Sequence, residues 1–266
     1  GRAELAVHSA KDLPTLATSG LVLAAFLPRA DARDALIARM PATLSELAPG
    51  SRIGTGSPRR AAQIAAVRPD LQAVEIRGNV DTRLRHLAEG DVDALILAAA
   101  GLERLGRLGE VHEVLPFEVM LPAPGQGALV LQTVDGSEAG RLAAAIDDAA
   151  TRRAVEAERA LLRHLGGGCL SALGAYAFVE GGELTLQAVV LDGAGNTAIR
   201  AQARGRDDAG VISEVAGRLE AQGAARLLFR ANVWLDGLRI MVTRADGQAA
   251  ALTDALTALG AEAVRC

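Results

Sequence analysis

Arg52-Ile53-Gly54-Thr55-Gly56-Ser57-Pro58-Arg59-Arg60 carries the chain out of a short apolar strand, through small turn residues and into a helix. Ser57 suits the N-cap and Pro58 the first helical position, so the helix is expected from Ser57 to Val67. Leu71 to Ile76 then reads as a strand, Val80 to Ala88 as a helix, Ala94 to Ala98 as a strand, and Leu102 to Leu105 as a helical turn. This β-α-β-α-β alternation predicts an α/β unit with a parallel sheet.

Outward from this unit the pattern changes. Residues 4–8 and 21–27 read as strands, with a turn at Pro28-Arg29-Ala30-Asp31. Leu121-Pro122-Ala123-Pro124-Gly125-Gln126-Gly127 has the composition of a hinge, and Ala128 to Thr133 returns as a strand. A helix is expected over 149–165, followed by Gly166-Gly167-Gly168-Cys169. Strands at 175–180, 184–191 and 197–203 and a helix at 209–222 then give a separate α+β unit. In the tail, 238–242 and 263–264 read as strands and Gly247 to Leu259 as an amphipathic helix, the opening of a further domain. Both ends fall inside such patterns and read as cut.

Half of the 266 residues are apolar but only 2% are aromatic, so cores of Ala, Leu, Val and Ile are expected. A formal net charge of −4 argues against a nucleic-acid or acidic-membrane partner. No apolar run reaches the roughly 20 residues of a membrane span. Two cysteines make no disulfide framework, which points to a reducing, cytoplasmic setting. No Cys or His pair has metal-ligand spacing, so no metal is expected.

Only one of the 28 basic residues is a lysine, Lys11, inside His8-Ser9-Ala10-Lys11-Asp12-Leu13-Pro14. A lone lysine among arginines marks a place for a compact ammonium rather than a planar fork. Its neighbour Asp12 is the candidate for acid/base or electrostatic work, set against a turn-forming role before Pro14; His8 is a weaker candidate base. The start of the helix after Gly54-Thr55-Gly56 is a candidate anion site, with free N–H groups and two arginines. A second follows at Arg77-Gly78-Asn79, with Arg83 in the next helix, and Arg104 lies beyond the third strand. On one edge of a parallel sheet, Arg59, Arg60, Arg77, Arg83 and Arg104 converge. A dinucleotide site is disfavoured because the third glycine of the fingerprint falls on Arg59, and a P-loop is excluded by the lack of Gly-Lys-Ser/Thr. Cys169 behind three glycines is a candidate nucleophile or attachment point, against the alternative of a small buried residue.

The segments HSAKDLP (8–14), RIGTGSPRR (52–60), EIRGNVDTRL (75–84), ALILAAAGLERLG (94–106), LPAPGQGAL (121–129) and GGGCLSALGAYA (166–177) resemble, in order and spacing, the hydroxymethylbilane synthase (porphobilinogen deaminase) family over about residues 1–235. The resemblance implies two periplasmic-binding-protein-like (type II) domains joined by hinges, plus a third α+β domain with a three-stranded antiparallel sheet. Domain 1 would take 1–28 and 128–146, incomplete here; domain 2, 33–121, with the arginine-lined cleft; domain 3, 149–236. The tail 238–266 resembles the start of uroporphyrinogen-III synthase, truncated, and suggests a fused or associated second enzyme.

The implied reaction is a deaminating condensation of four porphobilinogen molecules into linear hydroxymethylbilane, in tetrapyrrole biosynthesis, on a covalent dipyrromethane cofactor. The resemblance implies Asp12 as the catalytic carboxylate, stabilising the cation left when ammonia departs. It implies Cys169 as the thioether attachment, with Ser9, Lys11, Thr55, Ser57, Arg59, Arg60 and Gly78 around the cofactor. Arg77, Asn79, Arg83, Arg104 and Gln126 would hold porphobilinogen and the growing polypyrrole chain. Each arginine–carboxylate hydrogen bond is worth about 1.5–3 kcal/mol. A monomer is expected. The family's N-terminal part is missing, so this fragment is expected to be impaired, and Gly56 stands where a serine is common. The alternative is a non-catalytic carboxylate-binding module with the same cleft.

Overall fold

The computed structural model describes residues 3–15, 18–166, 172–230, 238–242, 253, 256 and 261–265. The chain starts in one sheet, leaves it, builds a second, and returns. Strands β1 (Leu5–Ser9) and β2 (Leu21–Phe26) belong to the first sheet. The second holds β3 (Asp34–Ala38), β4 (Arg52–Gly54), β5 (Gln72–Val74), β6 (Ala94–Ala98) and β7 (Glu113–Val114), with helices α1 (Pro58–Val67), α2 (Val80–Glu89) and α3 (Ala99–Arg104) between strands. The return strand β8 (Leu129–Val134) lies between β1 and β2, antiparallel to both.

Five strands in the order β5-β4-β6-β3-β7 make the second sheet. β5, β4 and β6 are parallel as expected, but β3 runs antiparallel to both of its neighbours, β6 and β7, so the sheet is mixed. β3 is buried at every position and begins with a charged residue, so neither alternation nor an uninterrupted apolar run marks it. Cores form on both faces, Leu36, Ile53, Ile64 and Ile96 on one, Ala35, Leu95, Leu97 and Leu102 on the other.

After β8 come α4 (Glu138–Ala144) and the 16-residue α5 (Ala149–His164), whose N-cap Asp148 accepts from the Thr151 amide at 2.7 Å. Strands β9 (Leu173–Glu180), β10 (Glu183–Leu191) and β11 (Ala198–Gly205) form the expected antiparallel meander. With α5, α6 (Asp208–Ala221) and α7 (Ala224–Arg230) it encloses its own core. In the tail β12 (Arg239–Val242) pairs in parallel with β13 (Glu262–Arg265). The helix expected between them falls largely outside the described residues. α4 and α7, seven residues each, are too short to show a helical period in the sequence.

Both crossings between the first two sheets meet α5. Arg29, in the outgoing crossing, donates from Nη1 and Nη2 to the Glu158 carboxylate at 2.6 and 3.1 Å. Gly125, in the returning crossing, donates its amide to Glu158 at 2.6 Å, and Ala177 of β9 does so at 2.7 Å. Glu158 is fully buried, with four donors around one carboxylate.

Candidate active site

Strand β1 ends in a single 3-10 turn, Ala10–Asp12, which places Lys11 and Asp12 at the mouth between the sheets. Gly125 approaches this turn so closely that a Cβ there would lie 2.9 Å from Ala10 Cβ, and its φ of +79° suits only glycine. From the other side comes the start of α1. Ser57 caps it, accepting from the Arg60 amide at 3.4 Å, as its position predicts.

A cavity of about 300 Å³ opens between these elements, lined by Lys11, Asp12, Ser57, Arg59, Arg60 and Gln126 among others. Six residues expected to serve the site therefore share one space. Asp12 is exposed and Lys11 half-buried.

Beneath the cavity lies Asp34, which sequence reading passed over. It is fully buried and accepts from Arg59 Nη1 at 2.7 Å, Arg60 Nη2 at 2.7 Å and Gln126 Nε2 at 2.9 Å. Arg59 also donates to the Leu121 carbonyl at 2.7 Å. Burial alone would raise the Asp34 carboxyl, but the charges of Arg59 and Arg60 outweigh it and hold it far below the usual carboxylate range. One carboxylate for two guanidiniums leaves a positive field. Burial, and then the charge of Arg60, push the Lys11 ammonium down to about 8. Arg83 is lowered in the same way, by burial and then by Arg60.

The other expected residues lie around this centre. Thr55 is buried, its hydroxyl accepting from the Ser57 amide at 3.2 Å. Ser9 ends β1. Asn79 caps α2 by accepting from the Thr82 amide at 2.9 Å. Gly78 takes φ +108°, and its carbonyl accepts from Arg83 Nε at 2.9 Å. Arg104 reaches the returning crossing, donating to the Gly127 carbonyl at 2.8 Å. Arg77 stands in solvent, paired with Glu75 at 2.7 Å. The arginines expected to converge thus divide into a buried pair at the cavity, Arg83 within reach of their field, and two on the periphery. His8 Nε2 is buried without a hydrogen-bond partner among the described residues. Cys169 and the loop around it lie outside the described residues.

Two atoms test the fit of a bound group. Arg59 Nε and Gln126 Oε1, on side chains lining the cavity, are buried without partners among the described residues. An unused donor and an unused acceptor in a cationic cavity suit a molecule bearing carboxylates and N–H groups, as a pyrrole carrying acid side chains does.

These features define a class: a doubly crossed α/β protein with a cleft lined by cationic side chains, its crossings fastened to a third α+β unit. Residues 1–141 match the family model "Porphobilinogen deaminase, dipyromethane cofactor binding domain", and residues 152–221 match "Porphobilinogen deaminase, C-terminal domain". The porphobilinogen deaminase of Thermobifida fusca is 51% identical over 76% of this chain and 64% of its own length. That of Roseiflexus sp. is 48% identical over 86% of this chain and 76% of its own length. Among solved structures, a TRAP periplasmic solute binding protein from Pseudomonas putida with bound D-glucuronate is similar at a TM-score of 0.34 and 13% identity, over 56% of this chain and 46% of that one. The chain belongs to the porphobilinogen deaminase family. It spans about two thirds to three quarters of the length of these two curated relatives.

Proposed function

We propose that this protein is a hydroxymethylbilane synthase, a transferase that condenses four porphobilinogen molecules head to tail with loss of ammonia. The observation that carries the reading is Asp12 and Lys11 sharing a cavity with Arg59, Arg60 and Gln126, in a chain of this family. When bound through Cys169, dipyrromethane supplies the nucleophilic pyrrole carbon on which the chain grows. Arg59, Arg60 and Lys11 bind and orient the acetate and propionate groups of the rings. Gln126 Oε1 accepts from a ring N–H. The Asp12 carboxylate offsets the positive charge that develops as ammonia leaves, and takes up and returns the proton at its carboxylate oxygen.

The domain limits given by the resemblance, 1–28 with 128–146, 33–121 and 149–236, go with this reading. They are supported by the division of strands β1 to β11 into three sheets, β12 and β13 forming a fourth. We assign the tail 238–266 to the opening of a uroporphyrinogen-III synthase domain, supported by the parallel pairing of β12 with β13. The protein acts as a cytoplasmic monomer. No helix among the described residues is long and apolar enough to cross a membrane.

Intact-mass measurement of the full-length protein tests the reading. The mass exceeds that of the chain by two pyrrole units, and Cys169→Ser abolishes the increment. Asp12→Asn keeps the increment, while turnover collapses by about 10²-fold or more. An unmodified wild type that is fully active overturns the assignment. Near-normal turnover in Asp12→Asn removes this carboxylate from the chemistry.

A further inference from the structure

Two arginines one turn apart on α5, Arg159 and Arg163, reach across to the backbone that follows β1. Arg159 is 7% exposed and lines the same cavity as Asp12. Its Nη1 donates to the carbonyls of Ala10 and Leu13, both at 3.2 Å, and its Nη2 to that of Pro14 at 2.5 Å. Arg163 Nη1 donates to the Thr15 carbonyl at 3.3 Å, at the exposed rim. The acceptors flank Lys11 and Asp12 on both sides.

This backbone needs outside donors. A single 3-10 turn followed by an extended Leu13 leaves carbonyls with few local partners, and Pro14 contributes no N–H. A guanidinium can satisfy three carbonyls from one rigid plane; an ammonium on a flexible stem cannot fix the same geometry. The helix that supplies this guanidinium runs directly into the segment holding Cys169.

We propose that Arg159 is the positioning residue for Asp12: from the helix leading to the cofactor-attachment loop, it fixes the turn that carries the carboxylate. The guanidinium is engaged by the backbone on both sides of Asp12, so it acts on the reaction through the placement of that carboxylate. Arg163 supports the outer end of the same segment. This inference rests on the reading of Asp12 as the catalytic carboxylate and Cys169 as the attachment point.

The test is a double-mutant cycle in the full-length, cofactor-loaded protein, with intact mass confirming attachment in every variant. Arg159→Lys should lower kcat by about 10- to 100-fold while KM stays within about threefold, because a carboxylate displaced by about 1 Å loses turnover rather than binding. In an Asp12→Glu background, where the carboxylate is already displaced, the same change should cost less than about threefold. Equal losses in both backgrounds, or kcat near the parent value in Arg159→Lys, overturn the proposal. Should Arg159→Lys fail to fold, Arg163→Ala at the rim provides the second variant. Its fall in kcat, about threefold, should likewise vanish in the Asp12→Glu background, and an unchanged or background-independent kcat overturns the proposal. Parent-like turnover in Asp12→Glu alone means that the reaction tolerates a displaced carboxylate, which overturns this inference; near-normal turnover in Asp12→Asn removes the carboxylate itself from the chemistry. The outcomes for Arg159 leave the functional reading standing.

Discussion

Lys11 is the one position where the chain keeps an ammonium, and its setting gives that choice a chemical consequence. Burial and the charge of Arg60 bring it down to about 8, while an arginine would stay charged at any pH used in practice. In the free protein the ammonium is present below about 8 and is lost as pH rises through that value, so affinity for a carboxylate falls there. The kcat/KM profile for porphobilinogen, which reports ionisations of the free enzyme, should therefore decline above about pH 8. In Lys11→Arg this decline should disappear, even if the absolute rate is lower. A profile with the same inflection in both proteins assigns the ionisation elsewhere. Stability moves the other way. The folded-state value lies below the unfolded one, so between about 8 and about 10.5 the unfolded chain binds more protons and stability rises with pH.

At the scale of elements, what could be read from the sequence was what local chemistry governs. Ser57-Pro58 announced α1, and the spans expected for the long helix and for the strands of the meander lie close to α5, β9 and β10. Strand β3 was missed because its decisive feature is not local. Asp34 looks like a turn residue after Asp31 and Arg33, and only when α1 brings Arg59 and Arg60 onto it does burying its charge make sense. The site was legible in the same uneven way: the motifs named Lys11, Asp12, Arg59 and Arg60, but the carboxylate that aims the two arginines and the α5 arginines beneath the Asp12 turn depend on contacts far apart in sequence. Asp34→Asn keeps the shape and removes the charge that both guanidiniums share, and breaking such a buried pair costs about 3–5 kcal/mol. Urea unfolding at neutral pH should show that loss. The folded-state value of Asp34 is depressed, so its contribution is complete above the unfolded value of about 3.9 and fades as pH falls below it. The gap between wild type and Asp34→Asn should therefore narrow in acid; a gap independent of pH would mean that the ion pair is not its source.

For the whole molecule the governing contact is Glu158. The first three sheets each have a core of their own, a small apolar seam of Ala62, Leu121, Val189 and Leu191 joins the second to the third, and units with separate cores unfold as one body only as far as something couples them. Glu158 joins the outgoing crossing through Arg29, the returning crossing through Gly125, and the third sheet through Ala177. Arg29 is itself nearly buried, donates to the Gln126 carbonyl at 2.9 Å, and so continues the network toward Asp34 and the cavity. Glu158→Gln preserves volume but turns one acceptor into a donor facing donors and leaves Arg29 buried without its counter-charge. The expected cost is about 3–5 kcal/mol. Because the lost contact lies between units rather than within one, its removal should uncouple them: calorimetric unfolding should divide into two transitions, with limited proteolysis at the lower one cutting between the second and third sheets. Turnover should fall as well, since α5 loses its hold on both crossings while Arg159 still grips the Asp12 turn. If the variant melts in a single transition within about 1 °C of wild type, the three units are coupled by their apolar contacts and Glu158 serves only its own burial.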